Sequence, residues 1–216
     1  MGQKISPLSN RLSITKDWKS RWFDSGTKYR DKLIEDILMR DYIIANHGVN
    51  YAIDKIIIKR SQKDINIDIH SARPGLIIGR QGKGIEDLKN NIEKFLIKNK
   101  LNSRKIKLNV IEVKKPDIKA TLIAQNIGQQ VSRRIPYRRA VKGAIFKAME
   151  EGARGIKIMI SGRLNGAEIS RSEKYSQGTI PISTLKNNID FSIFHAKTTY
   201  GVIGIKVWVY DGKKIL

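Results

Sequence analysis

The most pointed local chemistry in the sequence sits in Gly79-Arg80-Gln81-Gly82, followed at once by Lys83-Gly84. Glycines on either side of two long polar residues let the backbone turn tightly and approach a ligand with no Cβ in the way. Exposed amides, the positive end of a following helix, and the cations Arg80 and Lys83 together favour an anion there. Spacing selects among anion loops. A P-loop needs glycine five positions before its Gly-Lys pair and Ser or Thr after it, whereas Ile77 and Gly84 stand at those places. The dinucleotide pattern GxGxxG fails too, because the glycines fall at 75, 79, 82 and 84. A GxxG loop that clamps about four nucleotides along their backbone fits. So does a plain glycine-rich turn between helices.

A second concentration of charge lies farther along. Between Asp117 and Glu150 there is no acidic residue, while Lys119, Arg133, Arg134, Arg138, Arg139, Lys142 and Lys147 all fall in that interval. Arg138 and Lys142 are four apart and Arg139 and Lys142 three apart, which puts all three on one helical face. Arginines in a first turn also oppose the positive end of their own helix, at a cost of about 0.3–1 kcal/mol each. That cost points to a compensating phosphate; the alternative is a solvated basic face. Nothing resembles an enzyme centre: His47, His70 and His195 lack metal-ligand spacing, and Glu168 and Glu173, five apart in an expected strand, fall on opposite faces. No catalytic residue, metal, cofactor or small-molecule substrate is expected. Arg163 and Arg171 read as ion-pairing with Glu173 or touching RNA. The expected RNA-binding set is therefore Gly79, Arg80, Gln81, Gly82, Lys83, Arg133, Arg134, Arg138, Arg139, Lys142, Arg163 and Arg171.

These residues need elements to hold them. The chain has 216 residues, 40% hydrophobic, with 42 Lys+Arg against 20 Asp+Glu for a net charge of +22, so it can build cores yet repels itself unless a polyanion neutralises it. Nucleic acid is the leading polyanion and a membrane surface the competing one. No apolar run approaches the ~20 residues that span a bilayer, and no signal-peptide core opens the sequence. Cysteine is absent, which removes disulfides and thiol chemistry and suits a reducing compartment. Residues 1–16 read as an extended basic arm, and Trp18, Trp22 and Phe23 as base-stacking rings or as the anchor that pins this arm to the first domain. A helix over Tyr29–His47 places Leu33, Ile34, Ile37, Leu38 and Ile44 on one stripe. Strands follow at Ile53–Arg60 and Asp64–His70, joined by a turn around Ser61–Lys63. Next come a short helical run to Ile78, the glycine loop, a helix with Ile85, Leu88, Ile92 and Leu96 inward, and a strand at Lys105–Val113 with a bulge at Ile111.

The order helix, strand, strand, helix, GxxG, helix, strand is the αββααβ topology of type II KH domains, and residues 29–113 resemble one. The assigned segments are an arm at 1–16, a KH domain at 17–113, a linker at 114–116 around Pro116, and an α+β domain at 117–216. The last contains a helix capped by Asp117 and running to about Arg134, a second from Pro136 to about Glu151 with Ala140, Ala144 and Ala148 on one face, and a roughly four-stranded sheet. Its strands are expected at GIKIMISG, Ala167–Tyr175, Ile189–His195 and Ile203–Val209.

The runs SGRLNGAEISRSEKY and TTYGVIGIKVWVY, with MGQK at the start and ARPGLIIGRQG in the KH segment, make the chain similar over nearly its whole length to one ribosomal family. That family is the bacterial-type, KH-containing small-subunit protein of the head, third in the small-subunit series. The resemblance implies binding of small-subunit ribosomal RNA, neighbouring head proteins as partners, and a place lining the messenger entry channel. There Arg138, Arg139 and Lys142 of RRIPYRRAVKGA match the family's unwinding residues. It implies residence in a cytoplasmic ribosome of bacterial type, or an organellar one, and no membrane partner. A free-standing KH regulator of RNA is the alternative. Some eukaryotic relatives are linked to cleavage of DNA lesions through a lysine amine, but no lysine here is marked for that chemistry. Lys174 stands where the family usually has Trp, Thr179 where it has a basic residue, and Asn165 where it has glycine. The sequence ends at Leu216, where some members carry a basic tail.

Overall fold

Isoleucines at every second position build the sheet of the first unit, Trp18–Lys114, in the computed structural model, which describes residues 5–48, 50–61, 64–98 and 105–214. The elements are β1 (Ser20–Arg21), α1 (Gly26–His47), β2 (Ile53–Arg60), β3 (Asp64–Ser71), α2 (Pro74–Ile78), α3 (Lys83–Lys98) and β4 (Lys105–Glu112). The sheet order is β1-β2-β3-β4, with β2 antiparallel to β3 and β4 parallel to it. Ile56, Ile58, Ile65, Ile67, Ile69 and Ile106 turn inward against Leu88, Ile92 and Leu96 of α3 and Met39 and Ile43 of α1. Each such side chain contributes about 1.5–3 kcal/mol when fully buried.

Three expectations change here. The inward face of α1 carries Glu35, Asp36, Met39 and Ile43, whereas Ile34, Ile37 and Ile44 of the expected stripe are exposed. The reason is a buried guanidinium: Arg60 of β2 bonds Glu35 at 2.6 Å and Asp36 at 2.6 Å, and Lys32 O at 3.1 Å. Asp36 also accepts from Ser20 Oγ at 2.9 Å and Trp22 Nε1 at 2.7 Å, so Trp22 is tied within its own unit, while Trp18 and Phe23 are exposed and the segment through Asp17 that the rings are expected to pin belongs to the other unit. No bulge occurs at Ile111, since β3 and β4 pair without interruption from Asp64↔Lys105 to Ser71↔Glu112. Ile111 is an exposed residue on an edge strand, and the register shift of this sheet lies at Ile53/Lys55 instead. In the expected turn at 61–63, Gln62 and Lys63 lie outside the described residues.

The second unit runs from Lys115 and includes the N-terminal segment through Asp17. It comprises α4 (Ala120–Ser132), α5 (Tyr137–Glu150), β5 (Gly155–Gly162), β6 (Arg171–Gly178), β7 (Asn187–Thr198) and β8 (Gly201–Lys214). The antiparallel sheet has the order β6-β5-β8-β7. Ile156, Ile158 and Ile160 of β5 and Ile203, Ile205, Val207 and Val209 of β8 turn one face inward, onto Ile123, Ile127, Val131, Tyr137, Val141 and Ile145 of the helices.

The local starts differ from expectation. Pro116–Ile118 forms a separate 3-10 turn and α4 begins at Ala120, whose amide is capped not by Asp117 but by Asp190 of β7, at 3.0 Å. Pro136 stands one residue ahead of α5. Strand β6 begins only at Arg171, after a turn at Leu164–Gly166 in which Asn165 has φ 54, the left-handed geometry that asparagine tolerates. The N-terminal segment is not a free extended arm over its described residues. Arg11 is fully buried and donates to Asn187 O at 2.9 Å, Ile182 O at 2.9 Å, Thr184 O at 3.1 Å and Pro7 O at 3.2 Å. Lys16 pairs with Asp190 at 3.2 Å. Residues 1–4, Lys4 among them, lie outside the described residues.

Candidate nucleic-acid interface

In the first unit the glycine loop joins α2 to α3. Gly79 has φ 68, Gln81 φ 55 and Gly82 φ 81, so three of four residues are left-handed and the chain reverses within Arg80–Gly82. Gly84 is needed for a different reason. A Cβ there would lie 2.6 Å from Ile77 O, so the two helices approach backbone to backbone. Arg80, Gln81 and Lys83 are exposed, on a turn that leads directly into the N-terminus of α3. The turn thus presents two exposed cations and an exposed amide side chain together at the head of a helix, where an anion is favoured.

In the second unit the cations gather on α5. The helix buries Tyr137, Ala140, Val141, Ile145 and Ala148, which leaves Arg138, Arg139, Lys142, Gly143, Phe146 and Lys147 on the exposed side. Ala144 is partly buried beside the same core, so the small-residue face does pack inward. Among the described residues no hydrogen bond or ion pair holds the side chains of Arg139 or Lys142, and the first turn contains no acid. Phe146, one turn past Lys142 and 62% exposed, adds an aromatic ring to the cationic face. A cleft of about 330 Å³ beside it is lined by Lys142, Ile145, Phe146, Tyr175, Ser176 and Gln177.

Arg138 is different. Glu173 of β6, distant in sequence, accepts from Tyr175 Oη at 2.6 Å and Tyr137 Oη at 2.8 Å and pairs with Arg138 and Arg171, each at 3.5 Å. The bonds from Tyr175 and Tyr137, with the Arg138 charge beyond, hold the Glu173 carboxyl below its usual range. The Tyr137 hydroxyl and Glu173 in turn raise the pKa of Arg138. The acid-free interval of the sequence is thus supplied with one acid from another strand. The sequence pairs Glu173 with Arg163 and Arg171; the fold adds Arg138 and leaves Arg163 to Ala167 O. The only sequence signal for that addition is the alternation of β6, which puts Glu173 and Tyr175 on the inward face.

Of the remaining expected contacts, Arg163 and Arg171 have side-chain partners, whereas Arg133 and Arg134 are exposed and have none among the described residues. Arg163 donates to Ala167 O at 2.9 Å and lies 5.9 Å from the Tyr200 ring centre. Arg133 and Arg134 end α4, where positive charge is favoured by the helix dipole, and Arg134 takes φ 64 to stop the helix. Among the described residues, the cations of the twelve whose side chains no hydrogen bond or ion pair holds are Arg80, Lys83, Arg133, Arg134, Arg139 and Lys142. His47 stacks on Tyr51 at 4.8 Å and is held below the ordinary histidine pKa by burial. Among the described residues no three His, Asp or Glu come together as metal ligands, and no helix is long and apolar enough to cross a membrane.

Comparison with known proteins assigns both units. Residues 40–118 match the KH domain model and residues 127–209 the model of the ribosomal protein S3 C-terminal domain. The chain is 46% identical over 215 residues to the small ribosomal subunit protein uS3 of Nitrosomonas europaea, covering 100% of this chain and 97% of that one. It is 46% identical over 213 residues to its counterpart in Clostridium novyi, covering 99% and 94%. The same identity holds over 215 residues for Clostridium botulinum, strain Okra.

Proposed function

The chain belongs to the small ribosomal subunit protein uS3 family, and from that premise we propose that it binds ribosomal RNA in the small subunit and grips messenger on the exposed face of α5. Its work is structural and electrostatic rather than catalytic. The observation that carries the messenger reading is the pair Arg139 and Lys142, three residues apart on one face and unpaired among the described residues. Cations left without acids in a chain of net charge +22 gain most from phosphates. Phe146 offers a ring on which an unpaired base can stack, worth about 1–3 kcal/mol. Together they favour single-stranded over paired message, and a strand held open at a helix edge does not re-pair.

The glycine loop serves as a second RNA contact, clamping backbone at the head of α3. The inwardly tied Arg163, Arg171 and Arg138 shape the second unit and contribute less. Sedimentation in high salt tests the assignment. A ribosomal constituent travels with small subunits, whereas a free-standing KH regulator leaves them. Crosslinking of messenger to residues placed at 139 and 142 in those subunits tests the finer claim, and its absence there would remove α5 from the messenger path.

A further inference from the structure

The face of the second sheet turned away from α4 and α5 carries a pattern that the proposed function leaves unused. Strand register puts Lys174 of β6, Met159 of β5, Lys206 of β8 and Ile193 of β7 in one row across the sheet. The next row contains Lys157, Trp208 and Phe191, with the Lys157 ammonium 5.5 Å from the Trp208 ring centre and the two aromatic rings 5.1 Å apart. A third row holds Ser172, Ser161 and His195, at a cleft of about 340 Å³ that Arg171 also lines.

No acidic residue occurs in these rows, and their alternation partners, which include Glu173 and Asp190, point to the opposite face. Strands are about 4.8 Å apart, so Lys174 and Lys206, two strands apart, are separated by about 10 Å, close to one Debye length. Their charges therefore reinforce one another. Lys174, Lys206 and Ile193 are exposed, and Met159, Lys157, Trp208 and Phe191 are only half-buried. A sheet face combining the exposed ammonium groups of Lys174 and Lys206 with hydroxyls and aromatic edges has the chemistry of a sheet that receives single-stranded RNA.

We infer that this outer face is a second RNA-binding surface of the domain, with phosphates on Lys174 and Lys206 and a base against Trp208 beside Phe191. It goes beyond the messenger reading, since it lies on the other side of the sheet from α5. The two cationic surfaces then let one domain hold one strand on its helices while its sheet rests on another.

Titration of the full chain with a fluorescent oligouridylate of about ten nucleotides, at several salt concentrations, tests it. Lys174→Ala with Lys206→Ala, both exposed, is expected to weaken binding and to reduce the salt slope by about 1.4, from two contacts at about 0.7 each. Trp208→Leu is expected to weaken binding about fivefold or more at an unchanged slope, and Trp208→Phe to retain it. Protection of Lys174 and Lys206 from amine acylation in the RNA-saturated wild-type chain gives a readout that needs no variant. Unchanged slope in the lysine pair together with equal acylation in free and bound chain overturns the inference. That is also the result if a protein, not RNA, covers this face. Arg139→Ala with Lys142→Ala, run in parallel, reports on the messenger reading separately, so either surface can fail while the other stands.

Discussion

Glu173 sets Arg138 apart from the other cations of α5. Because two tyrosine hydroxyls and two arginines converge on it, Arg138 is already partnered at 3.5 Å, while Arg139 and Lys142 are not. Arg139→Ala with Lys142→Ala should therefore cut the salt slope of single-strand binding by about 1.4, and Arg138→Ala alone by distinctly less than 0.7, which is about one phosphate contact; fluorescence anisotropy against salt measures both. Glu173→Gln keeps an acceptor for the tyrosines but frees Arg138, so RNA affinity should rise. The sign with pH follows from the lowered carboxyl. Above the ordinary range Glu173 is charged and holds Arg138; as pH falls through its depressed pKa that pairing is lost and Arg138 becomes available. Wild type should gain affinity on acidification by more than Glu173→Gln does, and equal gains would remove Glu173 from control of this face. Arg11 makes a separate claim. Replacing its fully buried guanidinium by alanine leaves carbonyls of Ile182, Thr184 and Asn187 without donors, and should cost about 3 kcal/mol in denaturant unfolding.

Elements were legible wherever local pattern and packing agree. The β2, β3 and β5 isoleucines and the inward stripe of α3 needed only period two or period 3.6. Where a partner distant in sequence decides, the pattern misled. Ile34, Ile37 and Ile44 of α1 face outward because Arg60 draws Glu35 and Asp36 in, and α4 starts late because Asp190 caps it from β7. The glycine loop was readable as a reversal, but the role of Gly84 in helix contact was not, since it depends on Ile77 O at 2.6 Å from a Cβ. The cations of α5 were all visible in a composition gap; which of them is occupied was not, because Glu173 arrives through the fold. These element-level accounts are testable. Arg60→Ala should lower stability by about 3–5 kcal/mol by stranding two buried carboxylates. Gly84→Ala should disturb the α2–α3 junction and weaken RNA binding by the isolated loop surface, whereas Gly82→Ala, with open space around it but φ 81, should cost only the strain of a left-handed alanine, about 1–2 kcal/mol.

At the scale of the whole molecule, a net charge of +22 is sustainable only with a polyanion close by, and family membership identifies the ribosome as the setting. On the proposed reading the first unit supplies a backbone clamp, and the second has a cationic helix face and, on the opposite side of its sheet, a lysine and aromatic face. The central question for the molecule is whether the α5 face acts on structured message. Small subunits reconstituted with Arg138→Ala, Arg139→Ala and Lys142→Ala should translate an unstructured message at the wild-type rate but slow at a stable hairpin placed in the reading frame. Equal rates through the hairpin for variant and wild type, or an equal loss on both messages, would contradict such action.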